Sequence, residues 1–375
     1  MTVGPMRRPR IKPEHRPYRT VDGNIRIGSV IYGAGAEIED PGGWVWTLTE
    51  SLDGMRAPEA VIAEVTRRHP GVAAADVVTA YEQILDGGFV EDAGAPVPPE
   101  LSLREQERYG RSMAFFRWID LTPRTSPWDA QLRLRRSRVL LIGLGGTGGA
   151  VAQALVASGV GRLHCVDPDV VELSNLNRQP LYGENDIGRP KADVAVERLR
   201  SMNSDIVVTA ERREVRGEGD LAELLADGRG CDLLVLAADR PTAIRRWANR
   251  ACLAAEVPWL DGGYHGPLAT VGVHVPGNGP CWECMRAGEV ARRDLRLAPG
   301  EEEERASPRM PWNPVNAVSA GLSGMLMAHA ALTLLTGAPP IAPGFRFGVN
   351  LMAPGDPVLD RFPRRRDCPA CGDRA

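Results

Sequence analysis

The 375-residue sequence has no strong excess of charge of either sign, no long uninterrupted apolar run, and no cysteine between Met285 and Pro314. Each absence narrows the reading. A formal net charge of −3 gives no support to nucleic acid as the main partner, because such affinity rests on clustered Lys and Arg meeting phosphates. The short basic runs 133–136 and 364–366 read as solvated faces. The first residues are polar and rich in Pro and Arg, without the apolar stretch of about 7 to 15 residues that a secretory signal needs, so a cytoplasmic chain is expected. The longest apolar stretch, 315–335, is interrupted by Asn316, Ser319, Ser323, His329 and Thr333. It reads as a buried core helix, and no membrane partner is expected.

What is present suits a globular protein. Hydrophobic residues make up 43% and charged residues 25% of the chain, enough for a substantial core. The length predicts one large α/β domain and a small accessory one. Four of the seven cysteines form two Cys-x-x-Cys pairs, which in a reducing compartment suggests metal rather than disulfides.

Between Tyr18 and Tyr32, apolar Val21, Ile25, Ile27, Val30 and Ile31 alternate with Gly and polar residues, as short strands joined at Asp22-Gly23-Asn24 would. Residues 58–68 and 73–85 carry apolar side chains at helical spacing, and Gly87-Gly88 ends the second run before Phe89-Val90. Strands, helices and a closing strand predict a winged-helix-like domain at 17–93, with a linker rich in Pro and Ala, 94–104, leading to the main domain at 105–375. With Ile27-Gly28, Trp44-x-Trp46-x-Leu48, Leu52-Asp53-Gly54 and Gly88-Phe89-Val90, the module resembles the PqqD-like precursor-peptide recognition domain. A winged helix that binds DNA is the competing reading, and the lack of a concentrated basic recognition helix counts against it.

Residues 138–142, Arg-Val-Leu-Leu-Ile, run directly into Gly143-Leu144-Gly145-Gly146-Thr147-Gly148-Gly149. A helical pattern and a second apolar run ending at Asp167 follow. This is a βαβ unit whose glycines let backbone N–H groups approach a nucleotide. Taken alone it suits NAD as well as ATP. The discriminating stretch comes next: Asp167-Pro168-Asp169-Val170-Val171-Glu172-Leu173-Ser174-Asn175-Leu176-Asn177-Arg178-Gln179, then Gly188-Arg189-Pro190-Lys191. An Arg fork and a Lys point charge suit a triphosphate losing pyrophosphate.

That stretch resembles the adenylation signature of the ubiquitin-activating, MoeB and ThiF superfamily. The resemblance implies ATP contacts at Gly143, Gly145, Gly146, Gly148, Asp167 and Asp169, with Asp167 on the ribose and Asn175, Arg178, Gln179 and Lys191 on phosphates. Asp239, after the apolar run 231–237, matches the family's Mg²⁺-binding Asp, although Arg240 stands where Asn is usual. A helix N-cap is the structural alternative for Asp239. Arg111, in Arg108-Tyr109-Gly110-Arg111, matches the Arg that crosses a homodimer interface to the partner's ATP; an exposed Arg108/Arg111 helix pair is its alternative.

Cys281, Cys284, Cys368 and Cys371 have the spacing of a closed Cys₄ zinc site. The Cys-free segment 285–314, with its acidic run 301–304, reads as a mobile crossing loop and disfavours a thioester relay. Cys165, Cys231 and Cys252 read as small buried hydrophobes. His265 and Tyr264 are weaker candidates at the substrate side. The expected fold is a doubly wound, Rossmann-like α/β adenylation domain with a zinc clip, preceded by the small peptide-binding domain. The combination resembles microcin-type adenylating enzymes. It implies ATP-dependent adenylation of a precursor peptide's carboxylate, with a partner modifying enzyme possible. The alternative is a non-catalytic module that delivers peptide to a cyclodehydratase.

Overall fold

The computed structural model describes residues 6–226, 230–299, 310 and 313–372. The chain divides into two compact units, one holding the described residues up to 133 together with 336–341, the other 134–335 and 342–372.

The first unit contains β1 (Pro9–Ile11), β2 (Tyr18–Arg19), β3 (Ile25–Ser29), β4 (Ala34–Ile38), α1 (Trp44–Ser51), α2 (Pro58–Arg68), α3 (Ala74–Asp86), β5 (Val90–Asp92) and α4 (Leu103–Ile119). Strands β2, β3 and β4 form an antiparallel sheet, and β1 pairs antiparallel with β5. Ile27, Leu48, Val61, Val65, Val77, Ile84 and Phe89 meet in one core, which is why the helical phasing of 58–68 and 73–85 is so regular. Val30 and Ile31, expected among the strands, instead form a 3₁₀ turn (Val30–Tyr32). Gly33 at φ 75° reverses the chain there and returns its N–H to the Val30 carbonyl, leaving Ile31 exposed.

These units do not coincide with the expected segments 17–93, 94–104 and 105–375. β1 precedes residue 17 yet pairs with β5 in a two-stranded sheet of the same unit. On α4, Arg117 bonds Glu14 at 2.6 Å and Glu91 at 3.3 Å, and the buried Lys12 ammonium donates to the Asp120 carbonyl at 2.6 Å. These charged contacts, shielded from water, tie α4 to the first unit. A capping box, in which Ser102 and Glu105 each accept the other's backbone N–H, starts that helix.

After α5 (Asp129–Arg136), the second unit runs β6 (Arg138–Ile142), α6 (Gly146–Ala157), β7 (Arg162–Val166), α7 (Lys191–Met202), β8 (Val207–Glu211), α8 (Glu218–Ala226), β9 (Leu233–Leu236), α9 (Ile244–Ala255), β10 (Trp259–His265), β11 (Leu268–His274), α10 (Trp282–Arg292), α11 (Ala317–Thr336), β12 (Phe345–Asn350) and β13 (Val358–Arg361). Its sheet has the order β13-β12-β11-β10-β9-β6-β7-β8, parallel from β10 to β8 and antiparallel from β10 to β13. The parallel part is doubly wound, and its order reverses between β6 and β9. Ligands bind outside the carboxyl ends of strands at such a switch point. Four-residue runs in β6 and β9 are wholly buried, as strands covered on both faces must be.

Helix α11 is the stretch expected to be a core helix. It has the length and composition of a membrane span, but half of it is buried against protein. Ser323 hydrogen-bonds Thr147 of α6 at 2.7 Å, and a Cβ on Gly324 would stand 2.5 Å from that of Ala150. The small residues interrupting the apolar run are thus where the two helices touch.

Gly148 sits where α6 comes closest to the turn after β6: a Cβ there would lie 1.9 Å from the Gly143 carbonyl oxygen. Gly148→Ala is therefore expected to lower stability by about 1–3 kcal/mol through overpacking, measured as a drop in the chemical-denaturation midpoint.

Candidate active site

β6 gives way at Gly143, whose φ of 95° turns the chain toward α6. The N-cap of α6 is Gly145, so no side chain covers the first helical N–H groups, and the positive end of the helix is left for an anion. Asp167, at the end of β7, accepts from the Leu144 N–H at 2.6 Å and from the Asp169 N–H at 2.9 Å. Burial raises its pKa, opposed by Lys191 and by the two backbone donors. Gly145 carries no Cβ, and one there would stand 3.8 Å from the Gln179 amide nitrogen. The Gln179 Oε1 is buried without a hydrogen-bond partner. An uncapped helix start and an orphaned amide oxygen beside it fit a nucleotide.

The segment after Asp167 folds back on 188–191. Val170 bridges Pro190, and the Val171 N–H donates to the Arg189 carbonyl. This places Lys191 at the first turn of α7 with its backbone N–H on the Asp169 carbonyl and its ammonium 2.9 Å from the Asp169 carboxylate. Lys191 is almost fully buried while the Asp169 side chain is mostly exposed. Asn175 accepts from the Glu172 N–H, which closes the 3₁₀ turn before Arg178. Arg178 donates to the Ser174 carbonyl at 2.6 Å and to the Asn177 side-chain oxygen at 3.1 Å, and its charge lies near the Tyr264 phenol. The Tyr264 phenol is held above its ordinary pKa, by burial first and then by Asp239, so it stays neutral.

Asp239 lies in the loop after β9, exposed, with no hydrogen bond or ion pair among the described residues. Helix α9 begins only at Ile244 with Ala243 as its N-cap, so Asp239 is not a cap. An open carboxylate at the switch point fits a hard divalent cation completed by phosphate oxygens. Asp239 also borders a cavity of about 650 Å³ lined by Arg245, Asp261, Tyr264, His265, Trp282 and Arg346, among others.

The sequence reading overlooked Asp261. It is 1% exposed, accepts from His274 Nε2 at 2.7 Å and from Arg346 at 3.2 Å, and lies 3.4 Å from the Arg245 Nε. Arg346 also bonds Glu289 at 2.8 Å. Burial alone would raise the Asp261 pKa; Arg346, the His274 hydrogen bond and Arg245 more than offset this and hold it well below the carboxylate range. The only sequence signal was an acidic residue inside the apolar strand Trp259-Leu260-Asp261.

Away from the cavity, the Sγ atoms of Cys281, Cys284, Cys368 and Cys371 lie within 4.8 Å of one another. Their separations include 3.9 Å (281–284), 3.6 Å (281–368) and 3.5 Å (284–371). Four thiolates about 2.3 Å from one centre are about 3.8 Å apart in a tetrahedron, so the cluster fits zinc. The Arg365 N–H and Asn249 Nδ2 point at two of the sulfurs. Cys165 and Cys252 are buried in the second unit, and desolvation pushes the thiols of Cys165 and Cys231 up to about 12 and about 11. Arg111 is exposed on α4 of the first unit. The acidic run 301–304 lies outside the described residues.

The switch-point turn, the phosphate-type cations and the open carboxylate define an ATP-dependent adenylating enzyme. Residues 115–370 match the model of the ThiF family, and the chain belongs to that family. It is a ThiF-family adenylyltransferase, similar to the sulfur carrier protein adenylyltransferase of Thermus thermophilus (36% identical over 276 residues, 72% of this chain and 92% of that one). It is also similar to the molybdopterin-synthase adenylyltransferase of Escherichia coli (36% over 187 residues, 50% and 70%). Among solved structures, E. coli MccB superposes with a TM-score of 0.77 at 20% identity, covering 98% of this chain and 97% of that one.

The Asp261 pairing gives a pH-dependent prediction. Its folded pKa is depressed, so the stability it contributes is present above the unfolded value of about 3.9 and is lost as pH falls through the folded one. Asp261→Asn should cost about 3 kcal/mol in denaturation at neutral pH. The gap to the unaltered protein should begin to narrow below about pH 4 and keep narrowing as pH falls toward the depressed folded value.

Proposed function

We propose that this enzyme adenylates the C-terminal carboxylate of a ribosomal precursor peptide, which the winged-helix-like first unit captures. The observation that carries the reading is the cavity opening beside Asp239, large enough for a few residues of peptide and adjacent in the fold to the nucleotide-type residues. The E. coli protein MccB, similar in fold over nearly the whole chain, was solved with MccA. In the first unit, β4 is an edge strand with no strand partner on its outer side among the described residues, which suits capture of an extended peptide by strand addition.

In the reaction, a carboxylate oxygen bonds the α-phosphorus of ATP, the bond to the bridging oxygen breaks, and pyrophosphate leaves with the electron pair. Mg²⁺ held by Asp239 would neutralise phosphate charge. Arg178 and Lys191 hold donors at the phosphates, the Gly143–Gly148 turn offers N–H groups, and the Asp167 carboxylate keeps that turn in place. Zinc on the four cysteines would tie α10 to the C-terminal knuckle. On α4, Arg108, Arg111, Phe115 and Trp118 lie on one exposed face, which supports a homodimer with Arg111 acting in trans. With the thiols of Cys165, Cys231 and Cys252 pushed up by desolvation and the other four cysteines gathered at the metal cluster, the acyl group passes to nitrogen or to a partner's nucleophile rather than to an enzyme cysteine.

Pyrophosphate exchange driven by carboxylate-terminated peptides tests the reading; a protein that binds peptide but never exchanges is the cyclodehydratase-partner alternative. Asp239→Ala should abolish exchange while leaving peptide binding within about twofold. Arg111→Ala should lose activity and regain part of it when mixed with Asp239→Ala subunits. Metal analysis should find one zinc per chain, and Cys368→Ser should yield poorly soluble protein. Intact-mass spectrometry during turnover should show no hydroxylamine-labile adduct on Cys165, Cys231 or Cys252.

A further inference from the structure

The cavity beside Asp239 is lined by five arginines, Arg245, Arg286, Arg292, Arg293 and Arg346, and four carboxylates. Asp239 faces the proposed cation, so the remaining lining is cationic in balance and suits an anionic guest. The arginines are not equivalent. Arg346 is committed twice, to Asp261 and to Glu289. Arg292 is committed to Asp360 and to the Arg361 carbonyl, and lies over the Phe362 ring at 4.4 Å. Arg245 has a different arrangement. Its nearest approach to the buried Asp261 carboxylate is 3.4 Å, from Nε, an ion pair without a hydrogen bond; its side chain is 28% exposed and has no other ion-pair or hydrogen-bond partner among the described residues. A guanidinium held by one ion pair and making no hydrogen bond keeps its N–H donors for a guest, and its planar fork matches the two oxygens of a carboxylate.

Two anions meet in an adenylating enzyme, the nucleotide phosphates and the acid to be activated. The cavity lining includes none of Gly143 to Gly148, Arg178 or Lys191, and shares Asp239 and Tyr264 with the nucleotide side. Arg245 therefore stands on the side of the acid. It follows Asp239 by six residues, at the start of α9, so the docked group sits next to the cation-binding carboxylate.

We propose that Arg245 docks the carboxylate that is adenylated, and that buried Asp261 is the positioning residue whose charge holds the guanidinium at the cavity wall. This rests on the peptide reading above. The last residues of the substrate fill the cavity. The carboxylate, already deprotonated at neutral pH, attacks the α-phosphorus as pyrophosphate departs, and no proton transfer is required. Arg245 loses its hold on the reacting oxygen and keeps it on the other. The roles of Asp261 and Arg245 differ accordingly: one orients, the other touches substrate.

The test uses the full-length protein and synthetic heptapeptides of randomised sequence ending in a free carboxylate, with their C-terminal amides as controls. Pyrophosphate exchange is read with the most active carboxylate peptide, and binding of a non-hydrolysable ATP analogue is read separately by calorimetry. Arg245→Gln is expected to raise the peptide KM about 10- to 100-fold, the loss of one charge-assisted pair, with analogue binding unchanged. Arg245→Lys should fall between the two. Added ethylguanidinium should restore part of the activity of Arg245→Ala, a response that a purely structural role would not give. If Arg245→Gln keeps the peptide KM, or loses analogue binding and peptide together, the docking role is overturned while the peptide reading stands. If the unaltered protein exchanges with no carboxylate peptide, the peptide reading falls and this one with it.

Discussion

The closest approach between β6 and α6 is the constraint on which the second unit depends. Where a Cβ at Gly148 would come within 1.9 Å of the Gly143 carbonyl, strand and helix can meet only because neither position carries a side chain. That contact leaves the helix start bare, brings Leu144 within reach of Asp167, and opens the crevice between β6 and β9. The uncapped N–H groups are an unsatisfied cost in the free protein that an anion offsets. Stability and nucleotide binding draw on the same turn.

Two buried carboxylates divide the electrostatic work. Asp167 is held by backbone donors and braces the turn, whereas Asp261 is surrounded by Arg346, Arg245 and His274 and braces side chains. Burial opposes ionisation at both. At Asp261 the surrounding cations win, so a charge persists with 1% exposure. Removing such a charge would leave its cations without a partner in low dielectric, which is costlier than never having built the pair. The cluster is better understood as fixing where the cavity's guanidinium groups stand than as added stability.

The first unit follows different physics. Its apolar core is small, and the charged groups shielded by α4, Lys12, Glu14, Glu91, Arg117 and Asp120, satisfy one another rather than water. That network, made of residues up to about a hundred positions apart, explains why α4 sorts with this unit although its sequence signature belongs to the adenylation family.

Much of this was written in local sequence. An apolar run entering Gly-Leu-Gly-Gly-Thr-Gly specifies strand, turn and helix because glycine and burial leave few other solutions, and the Cys-x-x-Cys pairs announce a four-sulfur cluster by spacing alone. The nucleotide-type residues were legible for the same reason: they occupy one continuous stretch, 167–191. Asp261, Arg245, His274 and Arg346 come from four separate elements, and nothing in their spacing announces that they meet. That the first unit also takes in β1 and α4 was equally hidden. Only pairing across long sequence separations decided them, since a carboxylate buried among arginines is favourable or ruinous according to which distant strand folds beside it.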